Sequence, residues 1–367
     1  MISFGAWNYT ACNFIPASQM VDNWKELGFA LTLSSTSTGT EEDNEYICQL
    51  LKLAEEANIK VIVADQTVLF DQLPKIGKEE YENRVRDLCR RFSTYKSFDS
   101  LFICDEPHLP DFDNLKECLS IIRKYGKAYI NFLAIHAVVG CVGFENYTEE
   151  EYLSYIEDLI RNYGLSCVSY DFYQQCDYHY SKKGVDSYFY NLEKFGDLAR
   201  RNNVPLFVSN LSVEHWNYRK PTLDDIRWQI STSLAMGASS ILWFYLYERD
   251  IESSYRNAPI NFFKEKQETF YSLKREDYMA KEFAKSLEGY EYAGSYFVED
   301  RESLKKVCLD LGIDVSASYQ CHLLFTKFVK ADQAKICITN LEQKDIEAIN
   351  IGEDRILYFA PGQIYAI

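Results

Sequence analysis

Short β-rich runs alternate with longer amphipathic stretches along this chain, and they do so eight times. The strand candidates are "ISFGAWN" from Ile2, "ALTLSST" from Ala30, "KVIVADQ" from Lys60 and "SLFICDE" from Ser100. They continue with "KAYINFL" from Lys127, "SCVSYDFY" from Ser166, "PLFVSNL" from Pro205 and "SILWFYLY" from Ser240. Most are nearly continuous apolar runs, as expected for parallel strands covered on both faces. Between them lie stretches with helical period: in "NEYICQLLKLAEEANI", Ile47, Leu50, Leu51 and Ala54 share one stripe. Several close on basic residues followed by Gly or Asn, as "RKYG" and "RRNN" do.

Eight consecutive βα units predict an α/β fold, a (β/α)8 TIM barrel over residues 1–290. An open doubly wound sheet would want a Gly-rich phosphate loop after its first strand, and none is present. After about residue 290, "CHLLFTKFV", "AKICITNL" and "RILYFAPGQIYAI" read as short strands divided by polar turns, with no helix between them. The expectation is a small C-terminal antiparallel β domain, sandwich-like, over 291–367.

Composition narrows the partners. A formal net charge of -16, spread along the chain, argues against nucleic acid, anionic membrane surfaces and polyanionic substrates. The eleven cysteines are irregularly spaced and form no C-x-x-C pair. Cys12, Cys48, Cys89, Cys104, Cys118, Cys141 and Cys167 mostly sit in apolar segments, as buried free thiols do. With no cationic leader and no apolar run of membrane length, the expected location is a reducing cytoplasm. His108, His136, His179, His215 and His322 form neither H-x-H nor H-E-x-x-H, so neither a metal nor another cofactor is expected.

In such barrels chemistry sits at the C-terminal ends of the strands. Those tips carry Trp7, Asn8 and Tyr9 (first), Asp65 (third), Asp105 and Glu106 (fourth), Asn131 (fifth), and Tyr170, Asp171 and Tyr173 (sixth). Asn210 lies on the seventh, and Trp243, Tyr245, Tyr247 and Glu248 on the eighth. Acids, amides and flat rings at one rim suit a neutral, many-hydroxylated ligand. The run "LFICDEPHLP" from Leu101 is the sharpest of these signals. A greasy strand ends abruptly in two adjacent carboxylates, which is costly unless they are used. Apolar walls from Phe102 and Cys104 would raise the pKa of Glu106, as a general acid requires. Pro107 turns the chain out into a loop.

"FICDEP" resembles the strand-4 signature of the large clan of (β/α)8 glycoside hydrolases, where Asn-Glu-Pro carries the acid/base glutamate; here Asp105 replaces the Asn. "IRWQISTSLAMGASSILWFYLYE" and the terminal "LYFAPGQIYAI" resemble the corresponding parts of β-galactosidase-like proteins. The resemblance implies a glycosidase of carbohydrate metabolism with Glu106 as proton donor. The clan's nucleophile is a Glu at the tip of strand 7, and Asn210 occupies that slot; Glu214, four residues on, either reaches in from the loop or, the favoured reading, is a solvated loop acid. "VSYDFY" is similar to the Tyr-Asp of chitinase-like barrels, and Asp105-Glu106 to the pair of β-N-acetylhexosaminidases. Those enzymes use the substrate's own 2-acetamido oxygen as nucleophile. On that resemblance Asp105 or Asp171 orients the acetamido group, Tyr170 or Tyr173 donates a hydrogen bond, and Trp243 floors the sugar site. Inversion, with Asp171 activating water, is a further option.

The expected protein is thus a glycoside hydrolase acting on a short neutral oligosaccharide or glycoside. Glu106, Asp105 and Asp171 are its candidate catalytic residues. Trp7, Asn131, Tyr170, Tyr173, Asn210, Trp243 and Tyr245 are its candidate sugar contacts. A barrel that binds carbohydrate without cleaving it is the rival. An aldolase-type barrel would want a lysine at a strand tip, and Lys60 and Lys127 open their strands instead.

Overall fold

The computed structural model describes residues 2–135, 147–179, 182–248, 254–317, 321–352 and 355–367. His136 and Cys141 lie outside the described residues. The described ones fall into two compact units, Ser3–Lys220 with Ser240–Phe270, and a second made chiefly of Pro221–Ser239 and Tyr271–Ile367.

The first unit holds eight parallel strands: β1 (Ser3–Ala6), β2 (Leu31–Ser37), β3 (Lys60–Asp65), β4 (Phe98–Asp105), β5 (Ala128–Asn131), β6 (Val168–Asp171), β7 (Leu206–Leu211) and β8 (Ser240–Phe244). They pair in two runs, β2-β3-β4-β5 and β6-β7-β8-β1. Two backbone bonds join the runs, Phe132 N–H to Ser169 O at 2.7 Å and Ala30 N–H to Phe4 O at 2.9 Å. The ring therefore closes in chain order, as a (β/α)8 barrel does. At the β1–β2 seam the chains approach so closely that a Cβ on Gly5 would lie 1.7 Å from Leu31 O.

Helices α1 (Ala17–Leu27), α2 (Glu41–Glu56), α3 (Lys78–Phe92), α4 (Phe112–Ile122), α5 (Glu149–Tyr163), α6 (Lys182–Arg201), α7 (Leu223–Ala235) and α8 (Glu268–Lys285) alternate with the strands along the chain. Local chemistry starts and stops them. Thr40 caps α2 by accepting from Asp43 N–H, and three acids follow in the first turn. Ile47, Leu50, Leu51 and Ala54, the stripe read from its period, are all fully buried. Thr148 and Glu151 form a capping box on α5, which ends on left-handed Gly164 (φ 79°).

The second unit contains α7 together with two antiparallel sheets. One is ordered β9 (Glu291–Val298), β11 (Leu323–Lys330), β12 (Gln333–Asn340) and β15 (Ile364–Ala366). The other comprises β10 (Val315–Ser316), β13 (Glu347–Ile351) and β14 (Arg355–Phe359). One element departs from expectation: α9 (Arg301–Leu311) interrupts the strands. Its signals were present in "DRESLKKVCLDLG". Asp300 and Ser303 form a capping box, Gly312 closes the helix at φ 67°, and Leu304, Val307 and Cys308 make the buried stripe. A short helix among strands is masked when a segment is read only for alternation.

Candidate active site at the strand tips

Consecutive residues of a strand face opposite sides, yet Asp105 and Glu106 both line one cavity of about 310 Å³. The reason is a kink. Asp105 ends β4, and Glu106 takes a left-handed conformation, φ 47°, while its N–H still donates to Asn131 O at 2.8 Å. Such a conformation costs a residue other than glycine about 1–3 kcal/mol and clusters at functional positions. It is what lets both carboxyls reach the same space.

Asn131, at the tip of β5, ties the acids together. Its Nδ2 donates to Asp105 Oδ1 (3.0 Å) and to Asp171 Oδ1 (2.8 Å). Its Oδ1 accepts from Ser169 Oγ (3.0 Å), which also bonds Tyr129 Oη (2.6 Å). Tyr9 Oη donates to Asp105 Oδ2 at 2.8 Å. Asp171, at the tip of β6, lines the same cavity as Glu106 and Tyr173.

The three carboxyls perturb one another. Burial, and then the charge of Asp105, pushes Glu106 up to about 7. Burial raises Asp171 well above the usual carboxylate range, reinforced by Glu106 and Asp105. Asp105 is raised by burial against the pull of its two donors, Tyr9 and Asn131. Water in the cavity reaches Asp105 and Glu106, but protein crowds both on their other sides, and that crowding governs the shifts. Carboxyls this close share protons, so the cluster titrates as a unit.

The remaining lining residues are aromatic: Trp7, Tyr9, Tyr173, His215, Trp216, Tyr218, Phe244 and Tyr255. Trp7 stacks on Tyr9 (5.3 Å) and is pinned by its Nε1–H to Ser209 Oγ at 3.0 Å. Of the residues singled out from the sequence, Glu106, Asp105, Asp171, Trp7, Asn131 and Tyr173 line this cavity. Tyr170, Asn210, Trp243 and Tyr245 do not. Strand phase explains three of these. Tyr170 alternates with inward Asp171 and stacks on Phe195 of α6 at 4.4 Å. Asn210 stands between Ser209, which bonds Trp7, and core Leu211. Trp243 stands between core Leu242 and cavity-lining Phe244. Tyr245 is buried behind the lining, against Phe244 and Tyr255.

Glu214 is not a solvated loop acid. It is 9% exposed, and its carboxylate accepts from Asn257 Nδ2 (2.6 Å), Arg256 Nε (3.1 Å) and Tyr178 Oη. Burial works to raise it, but these partners together hold it below the usual range. His215, Trp216 and Tyr218, on the segment after β7, and Tyr255, after β8, stand beyond the strand tips and carry no carboxylate to mark them. The signal was "EHWNY", an aromatic cluster directly after a strand tip. Among the described residues no group of three His, Cys, Asp or Glu could hold a metal ion, and no helix is long and apolar enough to cross a membrane.

No family model and no curated protein matches this chain in sequence. Solved structures do. A β-galactosidase from the psychrophilic Marinomonas ef1 aligns with a TM-score of 0.58 at 11% identity, over 78% of this chain and 60% of that one. This chain thus spans less than two thirds of that enzyme. A GH5_18 protein from Bifidobacterium longum subsp. infantis aligns at 0.57 and 11% identity, over 77% of this chain and 79% of that one. A GH5_18 protein from Streptomyces cattleya, in complex with GlcNAc, gives 0.57 and 12%, over 76% and 80%. What the chain shares with these proteins is its fold, the (β/α)8 barrel on which these glycoside hydrolases are built.

Proposed function

We propose that this chain is a glycoside hydrolase in which Glu106 is the general acid/base and Asp171 its partner. One observation carries the reading. A carboxyl raised to about 7 stands at the strand tips of a (β/α)8 barrel, in a ring-lined cavity of sugar size. A proton donor must hold its proton close to neutral pH, and a carboxyl raised to about 7 is suited to that. A short, neutral oligosaccharide fits the lining, since three carboxyls and no lysine or arginine stand among the described cavity residues. No cofactor is invoked.

The choice of a second carboxylate bears on the route. A protein nucleophile stands about 5–5.5 Å from the acid, and an inverting pair about 6.5–9.5 Å apart. Asn210 stands in place of a strand-7 carboxylate, and Glu214 is occupied by Arg256, Asn257 and Tyr178. The arrangement favours a substrate-assisted route on a 2-acetamido sugar. The acetamido oxygen attacks the anomeric carbon as Glu106 protonates the departing oxygen, with Asp171 or Asp105 orienting the amide. Water, deprotonated by Glu106, then opens the cyclic intermediate. Neighbours of the same fold hold such sugars, GlcNAc in one and Manb1-4GlcNAc in another.

Glu106→Gln tests the first claim. Turnover of an alkyl N-acetylglucosaminide should fall about 10²–10⁴-fold, and that of a nitrophenyl glycoside, whose leaving group needs little protonation, much less. Equal turnover of 2-acetamido and 2-hydroxy glycosides would exclude the assisted route. Saccharide binding by calorimetry, without product from a broad glycan panel, would instead leave a carbohydrate-binding barrel.

A further inference from the structure

The segment after β7 brings one imidazole, that of His215, into the cavity wall. His215 is 3% exposed, and its ring lines the cavity. It packs against Tyr218 (5.0 Å), Phe244 (5.2 Å) and Tyr255 (5.3 Å, near parallel). Tyr173 meets it edge-on at 5.8 Å. The His215 backbone is pinned in both directions to Tyr218, with N···O distances of 3.1 and 2.8 Å, while Glu214 is paired twice with Arg256 at 3.0 Å.

The two ring nitrogens differ. Nδ1 is buried with no hydrogen-bond partner among the described residues, and Nε2 is the nitrogen left to the cavity. A hydrogen on Nδ1 would be an orphaned buried donor, which costs its full desolvation. A hydrogen on Nε2 points where a ligand or water can accept it. Burial also opposes the cation, pushing the imidazole down to about 4.

Resting on the reading of the cavity as a saccharide site, we propose that His215 is a specificity-determining residue: a neutral imidazole whose Nε2–H donates to a hydroxyl oxygen of the bound sugar, in the same cavity as the carboxyl cluster. The ligand is thereby gripped at two chemically distinct ends. The acids take its reacting bond, and one uncharged donor, walled by rings and flanked at the rim by the 63% exposed Trp216, reads a single hydroxyl.

Nitrogen-resolved NMR of the wild-type protein tests this, with the His215 signals identified by their loss in His215→Phe. The expected spectrum at pH 7 is the Nε2–H tautomer, with an Nε2 shift when N,N'-diacetylchitobiose or cellobiose binds. An Nδ1–H tautomer or an imidazolium at pH 7 overturns the proposal. So does a disaccharide that perturbs the tryptophan fluorescence and leaves His215 unmoved. In contrast, a saccharide panel that perturbs neither tryptophan nor histidine overturns the saccharide reading itself. In turnover, His215→Phe keeps the ring and loses the donor. It should raise KM about tenfold with kcat nearly kept, and His215→Asn should recover part of the loss. An unchanged KM in His215→Phe counts against the donor role.

Discussion

Asn131 Nδ2 at the tip of β5 donates to Asp171 Oδ1 at the tip of β6, at 2.8 Å. Two neighbouring ionised carboxylates repel, and the charge of Glu106 accordingly raises Asp171 beyond what burial does. The charge of Asp105 lifts Glu106 further, and Asn131 holds Asp105 and Asp171 from a single amide nitrogen. The cluster is a proton store at the mouth of the barrel.

The pH profile should report that store. A general acid works only while protonated, so kcat/KM is expected to fall above about pH 7, where Glu106 ionises. Asp105→Asn removes a charge that raises Glu106, and the alkaline limb should move to lower pH. A limb that stays in place, or moves up, would show that Asp105 does not act on Glu106 through its charge.

Stability should carry the opposite mark of the same shifts. The folded state holds the Glu106 proton up to about 7, while the unfolded chain releases it near 4.5. Across that window the native protein binds more protons than the unfolded one, so the contribution of this group to stability falls as pH rises. Glu106→Gln should therefore stabilise the protein against urea more at pH 8 than at pH 5. An equal effect at the two pH values would refute the linkage.

Closure of the barrel should depend on Gly5. An alanine there places a methyl against Leu31 O in β2, and relief means moving backbone. Gly5→Ala is expected to cost about 1–3 kcal/mol or more in chemical denaturation. A midpoint equal to wild type would mean that the β1–β2 seam yields freely.

Helix α9 offers a paired control in the second unit. Leu304 is 2% exposed and Leu309 is 82% exposed. Leu304→Ala should lower stability by about 2–5 kcal/mol, and Leu309→Ala by no more than about 0.5 kcal/mol. Similar losses at both positions would contradict the helix face described.

The alternation of β runs with amphipathic helices, and the abrupt Asp105-Glu106-Pro107 tip, were legible in the sequence because both are local. A helical stripe such as Ile47, Leu50, Leu51 and Ala54 is written within two or three turns, and a strand tip by where apolar residues stop. Tertiary structure alone decided which tip residues look inward. Parallel barrel strands are apolar on both faces, so their period-two phase leaves no mark in the sequence. That is why Tyr170, Asn210 and Trp243 were as plausible as Asp171, Ser209 and Phe244. Nor could local pattern foresee the left-handed turn that brings Asp105 and Glu106 into one cavity, or the arrival of His215 in its lining. Those placements follow from closing a ring of strands distant in sequence, and the pKa shifts follow in turn, because burial and neighbouring charge exist only once the ring has closed.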